Sequence, residues 1–172
     1  LITLGRLIGE ASSIKLFQFN RNQIDGRLGG QWAWSNLEAP KDDKFKIITE
    51  HPFTKGDCEA VLRVNLTAPV EAAALPAYLY ANGSFTKPAI KITLDNPSNA
   101  SIGHPNDLML LGKAIDVALR TIQDEWKIRK VHLIVVAPVS ACVRVGQKMQ
   151  ARNQSEFTLY ERNPGIDDNE FK

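Results

Sequence analysis

Two stretches of the chain undergo the same change of character. One apolar run stops at Thr67-Ala68-Pro69-Val70-Glu71-Ala72, and another stops at Val136-Ala137-Pro138-Val139-Ser140-Ala141. Residues 58–66 carry Val61, Leu62, Val64 and Leu66, which predicts a strand. Residues 131–136 are continuous and β-branched apart from His132 and Leu133, which predicts a central strand covered on both faces. Each run ends at a proline and opens into small residues. The chain is therefore expected to hold two related strand-turn-helix units, over about residues 58–82 and 129–153, facing each other across a shared crevice. In the first unit, a helix over residues 70–79 would be shortened or kinked by Pro76, which has no N–H to donate.

The remaining hydrophobic pattern alternates between the two periods. Residues 4–11 read as the end of a helix. Residues 13–19 read as a strand from Ile14, Leu16 and the pair Phe17 and Phe19, and a polar, glycine-bearing loop over 20–31 leads to Trp32 and Trp34. Residues 45–49 are a short strand. In residues 89–94, Ile90, Ile92 and Leu94 alternate with Lys91 and Thr93, a strand with one wet side. The clearest helix covers residues 106–126, because Leu108, Leu111, Ile115, Ala118, Leu119, Ile122 and Trp126 recur at three and four residues. Asn106 and Asp107 suit its start. A helix over 141–152, a strand over 156–161 and a polar tail over 163–172 complete the chain. Strand and helix in this order predict an α/β fold with a mostly parallel sheet, in one domain over residues 1–172.

Composition narrows the function classes. A net charge of +2 and a pI of 8.6 are too mild for a duplex DNA binder. Cys58 and Cys142 form neither a disulfide framework nor a metal-ligand spacing, which fits a reducing compartment. No apolar run approaches the ~20 residues that cross a bilayer, so the expected location is cytoplasmic, with no membrane partner. The chain starts at Leu1, which suggests a piece of a longer polypeptide.

Chemistry is expected at the crevice. In open α/β sheets, ligands bind outside the carboxyl ends of the strands, and a helix starting there aims unpaired N–H groups at anions. Pro138 and Ser140 stand at such a start, whereas Glu71, at the matching place in the first copy, would repel a phosphate and suits a base or ribose hydroxyl. Arg144, Lys148 and Arg152 share one helix face opposite Val145 and Met149, and either line the crevice or form a solvated face. Gln147 stands beside them, placed to read a base edge. His132, inside an apolar strand, reads as a structural histidine. His104 sits before Pro105 at the mouth of the long helix, suited to ligand contact, with no acidic partner or metal-ligand spacing around it. Trp126 reads as core. Trp32 and Trp34 lie beside Arg21, Arg27 and Gln31, and either pack beneath the sheet or stack on a nucleobase, a contact worth about 1 to 3 kcal/mol.

Several of these residues also carry a family resemblance. Val131-His132-Leu133-Ile134-Val135-Val136-Ala137-Pro138-Val139-Ser140-Ala141, then Val145-Gly146-Gln147 and Phe157-Thr158-Leu159-Tyr160-Glu161, resemble the closing motif of the SAVED domain. Phe17-Gln18-Phe19-Asn20-Arg21 with Trp32-Ala33-Trp34 is similar to that family's amino-terminal element. The resemblance spans residues 4–161. It implies two fused CARF-like, Rossmann-like halves and a sensor in the bacterial anti-phage systems called CBASS. Such a sensor binds a cyclic dinucleotide of the cyclic GMP-AMP type or a cyclic trinucleotide, without cofactor or metal. It then forms a homo-oligomer and switches on a fused effector: an HNH-type or other nuclease, a TIR NADase or a protease. No effector signature occurs in this sequence, so the chain reads as the non-enzymatic sensor. On this reading Ser140 and the amides after Pro138 hold a phosphate, Arg144 and Lys148 supply charge, Gln147 reads a base edge, and Trp32 or Trp34 with Arg21 covers a base, with Gln18 in the same ligand-binding set. Thr67, Pro69 and His104 line the opposite wall. Two rivals remain, a ring-nuclease-like enzyme using His104 as acid or base and a structural α/β interaction module.

Overall fold

The computed structural model describes residues 1–10, 14–17, 19–20, 31–32, 34–36, 38–71, 74–149 and 155–161. In chain order the elements are α1 (Ile2–Ile8), β1 (Phe19–Asn20), β2 (Gln31–Trp32), β3 (Lys46–His51), β4 (Glu59–Asn65), β5 (Tyr80–Ala81) and β6 (Ser84–Phe85). They continue with β7 (Ala89–Thr93), α2 (Pro105–Arg120) running into a π turn (Thr121–Glu125), β8 (Lys130–Val136), α3 (Val139–Lys148) and β9 (Glu156–Tyr160). Five strands form one sheet in the order β3-β7-β4-β8-β9. β7, β4, β8 and β9 are parallel, and β3 closes one edge antiparallel to β7. The expected α/β class with a mostly parallel sheet is what the chain adopts.

Connectivity decides where a ligand can sit. From β4 the chain moves to β7 on one side, then returns through α2 to β8 on the other side and continues outward to β9. The direction of winding therefore reverses between β4 and β8, and their carboxyl ends part to form the crevice typical of such switch points.

The two apolar runs became central strands because both of their faces are covered. Ala60, Leu62, Val64 and Leu66 face α2 and α3, packing with Ile92, Leu133, Leu111, Ile115, Ala141 and Val145. On the opposite face Val61, Ile134 and Tyr160 pack with Leu75, Leu79 and Phe85, which the crossover between β4 and β7 supplies. This covering places the two Ala-Pro-Val copies at the ends of neighbouring strands of one sheet. Both strands need neighbours on each side, and they find each other, in parallel register from Glu59 opposite Lys130 to Asn65 opposite Val136.

Three further departures have local causes. No α-helix succeeds the first copy among the described residues; Ala74 N donates to Glu71 O and Leu79 N to Pro76 O, as turns. A helix through this stretch would need an N–H at Pro76 and would bring its ring against the carbonyl four residues earlier. The amino-terminal strand shrinks to Phe19–Asn20, paired antiparallel with Gln31–Trp32, because residues 14–17 have no strand beside them among the described residues. Between β5 and β6 lies a hairpin the hydrophobic pattern did not reveal. Its turn, Asn82-Gly83, has φ of 52° and 81°, the left-handed geometry that this dipeptide favours. The polar tail over 163–172 lies outside the described residues.

The helices seat firmly. His104 caps α2: its Nδ1 accepts from Asn106 N at 3.1 Å, while the Asp107 carboxylate accepts from Gly103 N at 2.8 Å and His104 N at 2.9 Å. Trp126 is half-buried against the core and stacks on Phe53 with centroids 5.9 Å apart. α1 lies across α3 so closely that a Cβ at Gly5 would come 2.1 Å from Val143 O, and one at Gly146 2.0 Å from Ile2 O. Only glycine at both positions permits this crossing.

Candidate ligand crevice

β4 and β8 end level with each other. Leu66 N and Thr67 N both donate to Val136 O, at 2.8 and 3.1 Å, and then Pro69 and Pro138 stop the ladder because neither has an N–H. Beyond them opens a crevice of about 1040 Å³. One wall is residues 67–71. The other is Val135, Val136 and Ala137 with Cys142 of α3; Leu159, Tyr160 and Glu161 close one end, and residues 1–3 at the start of α1 also line it. The lining is mostly apolar, with a few polar groups: Thr3, Thr67, Glu71, Tyr160 and Glu161. Thr67 Oγ1 is buried without a hydrogen-bond partner, an arrangement that a bound ligand would satisfy. Burial raises the Cys142 thiol above its usual range.

Two charged clusters support the walls from the face of the sheet opposite α2 and α3. Arg63, only 3% exposed, donates from Nη1 to both oxygens of Glu50, at 3.0 and 2.8 Å, and from Nη2 to Val70 O at 2.6 Å. It thereby ties the first wall to β3. Lys91 adds a second cation to Glu50 at 3.0 Å. Beneath β8, His132 Nδ1 is 2.7 Å from the Tyr160 hydroxyl, and its Nε2 is 3.2 Å from Glu59. Glu59 also pairs with Lys130 at 2.6 Å and Lys87 at 2.8 Å. Hydrogen bonds from Lys130, Lys87 and His132 hold its carboxyl down at about 2. Burial lowers His132 below its ordinary value despite Glu59 beside it, and burial together with Tyr78 raises Tyr160.

The whole sequence, residues 1–172, matches the family described as SAVED: SMODS-associated and fused to various effectors sensor domain. The chain belongs to the SAVED family. Its fold is shared with the Acinetobacter baumannii Cap4 SAVED/CARF-domain containing receptor. The form with the cyclic trinucleotide 3'3'3'-cAAA has a TM-score of 0.59 and 17% identity, covering 99% of this chain and 34% of the receptor. The form with 2'3'3'-cAAA has a TM-score of 0.54 and 18% identity, covering 77% of this chain and 27% of the receptor. This SAVED domain thus spans about a third or less of those receptors. No curated protein matches it.

Within the SAVED domain, the expected site residues divide. Thr67 and Pro69 line the crevice, and Pro138, itself buried, starts α3 between Ala137 and Cys142, which line it. Ser140 is buried in the first turn of α3. The structure does not bring Arg144, Gln147 and Lys148 to the crevice. Lys148 pairs with Glu10 and Asp116, both at 2.6 Å; Arg144 reaches Leu108 O at 3.3 Å and Glu10 at 3.5 Å. Gln147 donates to Gly9 O at 3.3 Å. These three side chains fasten α1 and α2 to α3. Gly112 makes room for them, since a Cβ there would come 3.0 Å from Arg144 Nε and Lys148 Cε. His104 is engaged as the α2 cap, and Trp34 is half-buried against the core with its ring 6.3 Å from that of Phe17. Gln18, Arg21, Arg152 and the side chain of Trp32 lie outside the described residues.

Sequence reasoning missed Tyr160, Glu161, Cys142 and the start of α1 as crevice residues. For Tyr160 and Glu161 the signal existed, because they end a predicted strand. A second hollow of about 850 Å³ lies at the carboxyl end of β7, lined by Lys41, Lys44 and Lys46 among others. Lys44 is paired with the fully buried Asp107 at 2.6 Å, and Lys46 with Asp95. No described helix is long and apolar enough to cross a membrane. Among the described residues no group of three or more His, Cys, Asp or Glu side chains is placed to hold a metal.

Proposed function

We propose that this SAVED domain senses a cyclic oligonucleotide in the crevice between the carboxyl ends of β4 and β8. The observation that carries the reading is the coincidence of three things at one place: the switch point of the sheet, both Ala-Pro-Val copies, and a cavity of about 1040 Å³. That volume is at or above the upper end of the roughly 300–1,000 Å³ range for small-molecule sites and suits a ligand of several nucleotides. The Cap4 receptors of the same fold hold cyclic trinucleotides, which puts a cyclic trinucleotide ahead of a dinucleotide of the cyclic GMP-AMP type.

No lysine or arginine lines the crevice among the described residues, and Arg144 and Lys148 are engaged by Glu10 and Asp116. Phosphate recognition is therefore assigned to the backbone N–H groups that open α3 after Pro138. Thr67, Glu71 and Glu161 supply hydrogen-bond acceptors for the donor edges of bases and for ribose hydroxyls. Binding leads to homo-oligomerisation and activates an effector fused elsewhere in the longer protein, a nuclease first among the types considered, in cytoplasmic CBASS anti-phage defence. Titration calorimetry against a panel of cyclic di- and trinucleotides tests the core of this reading. The expected result is submicromolar binding of at least one trinucleotide, with the ligand recovered intact by chromatography. Absence of binding across the panel overturns it, and loss of intact ligand would make the domain a ring nuclease.

A further inference from the structure

Tyr160 lines the crevice, while its hydroxyl is engaged beneath the sheet. There it meets His132 Nδ1 at 2.7 Å and the hydroxyl of Tyr78. His132 is 3% exposed, and its other nitrogen, Nε2, lies 3.2 Å from Glu59. The direction of each hydrogen bond is set from the Glu59 end. A carboxylate accepts only, so His132 carries its proton on Nε2 and donates it to Glu59. A neutral imidazole protonated there has an acceptor at Nδ1, which fixes Tyr160 as the donor to it. The Tyr160 oxygen is left to accept from Tyr78. Burial, which holds His132 below its usual pKa, agrees with the neutral ring.

We infer that His132 is a positioning residue for the crevice: it captures the Tyr160 hydroxyl, so the phenol ring forms a fixed apolar wall and the hydroxyl is withheld from the ligand. The inference rests on the crevice being the ligand site. The groups facing His132 are Glu59 from β4, Lys87 from the segment before β7, Lys130 from its own strand, Tyr160 from β9 and Tyr78 from the crossover, whose ring stands edge-on at 5.9 Å. Glu59 favours a second proton on the ring, while burial and the two lysines oppose it. When that proton arrives, Nδ1 becomes a donor, and the chain of hydrogen bonds runs the other way, with the Tyr160 oxygen accepting from Nδ1 and its hydroxyl donating to Tyr78. The anchor therefore survives protonation of the ring.

Calorimetry with 3'3'3'-cAAA between pH 5 and 8 reads the effect on binding, and nitrogen NMR of the histidine rings without ligand reads the tautomer. Wild-type affinity is expected to stay level across this range, because His132 can hold the Tyr160 hydroxyl in either protonation state. His132→Asn, whose Oδ1 can accept from Tyr160 in place of Nδ1, is expected to hold affinity near wild type over the same range. His132→Leu, which can accept nothing, is expected to weaken binding about 5- to 10-fold at every pH. The NMR spectrum is expected to show His132 protonated on Nε2 at neutral pH. Affinity that His132→Leu leaves unchanged, or a ring protonated on Nδ1 at neutral pH, overturns the role of His132. A wild type that binds no cyclic nucleotide while showing the expected tautomer overturns the crevice reading instead, and with it the ligand role of this otherwise intact hydrogen-bond chain.

Discussion

Between Pro69 and β5 the described residues form no α-helix and pack beneath the sheet, whereas after Pro138 the chain winds at once into the ten-residue helix α3. The two segments share the Ala-Pro-Val step and end adjacent parallel strands, so the step itself does not choose between these outcomes. The residues downstream of it make the choice. Pro76 denies the first segment a helical donor, and its wall is held by the buried Arg63 guanidinium at Val70 O. The second segment has no proline within α3, and α1 is pressed onto it through Gly5 and Gly146. A loop wall and a helical wall cannot make equal contacts with a ligand. The near-repeat in sequence therefore builds an asymmetric site.

The comparison can be broken at either wall. Arg63→Met is expected to have the largest effect, a loss of about 3 kcal/mol in denaturant unfolding, because it strands a largely buried Glu50 with Lys91 alone and frees Val70. It should loosen the first wall and leave α3 intact. Gly146→Ala acts on the second wall. Alanine favours a helix interior by up to about 1 kcal/mol, but the added Cβ would come 2.0 Å from Ile2 O, so a net loss of about 2 kcal/mol is expected from thermal melts. A stability equal to or above wild type would show that α1 is not clamped on α3.

Acid sharpens the same contrast at lower amplitude. Glu59 has a folded pKa of about 2 against 4.5 for the free group, so its contribution is full above 4.5 and is lost as the pH falls through 2. His132 is also lowered, below 6.5. The unfolded chain takes up that proton first, and stability declines as the pH drops below 6.5. Tyr160 is raised, so the unfolded chain ionises first above pH 10 and stability falls there too. The raised Cys142 thiol acts in the same direction from nearer pH 9, so melting temperatures should be flat between about pH 7 and 8 and should fall on both sides. An acid limb that persists unchanged in His132→Asn would remove His132 as its cause.

The parts legible in the sequence were those governed by a local period or an unbroken apolar run. α2, β7, β8 and the class of the sheet can be read from spacing alone, because burial on one or two faces leaves a mark at every second, third or fourth residue. The fate of Arg144 and Lys148 was not legible. Their spacing of four places them on one helix face, but their partners, Glu10 and Asp116, come from other elements, and no local rule says which neighbour that face will meet. The stretch after Pro69 failed for the same kind of reason: small residues permit a helix, and a single downstream proline decided against it. The hairpin at Asn82-Gly83 is readable from its turn dipeptide, but its two-residue strands are too short to show a period.

The parallel pairing of β4 with β8 joins positions about 70 residues apart, which sets when the site can exist. Contacts of such separation carry a large loop-closure cost and tend to form late and slowly, after hairpins and helices have organised themselves. The amino-terminal half of the chain can make the β5–β6 hairpin and the loop of the first wall, but no crevice. A newly made chain would gain its crevice only when β8 docks, close to the end of folding, so on the proposed function an immature domain has no place to hold a ligand.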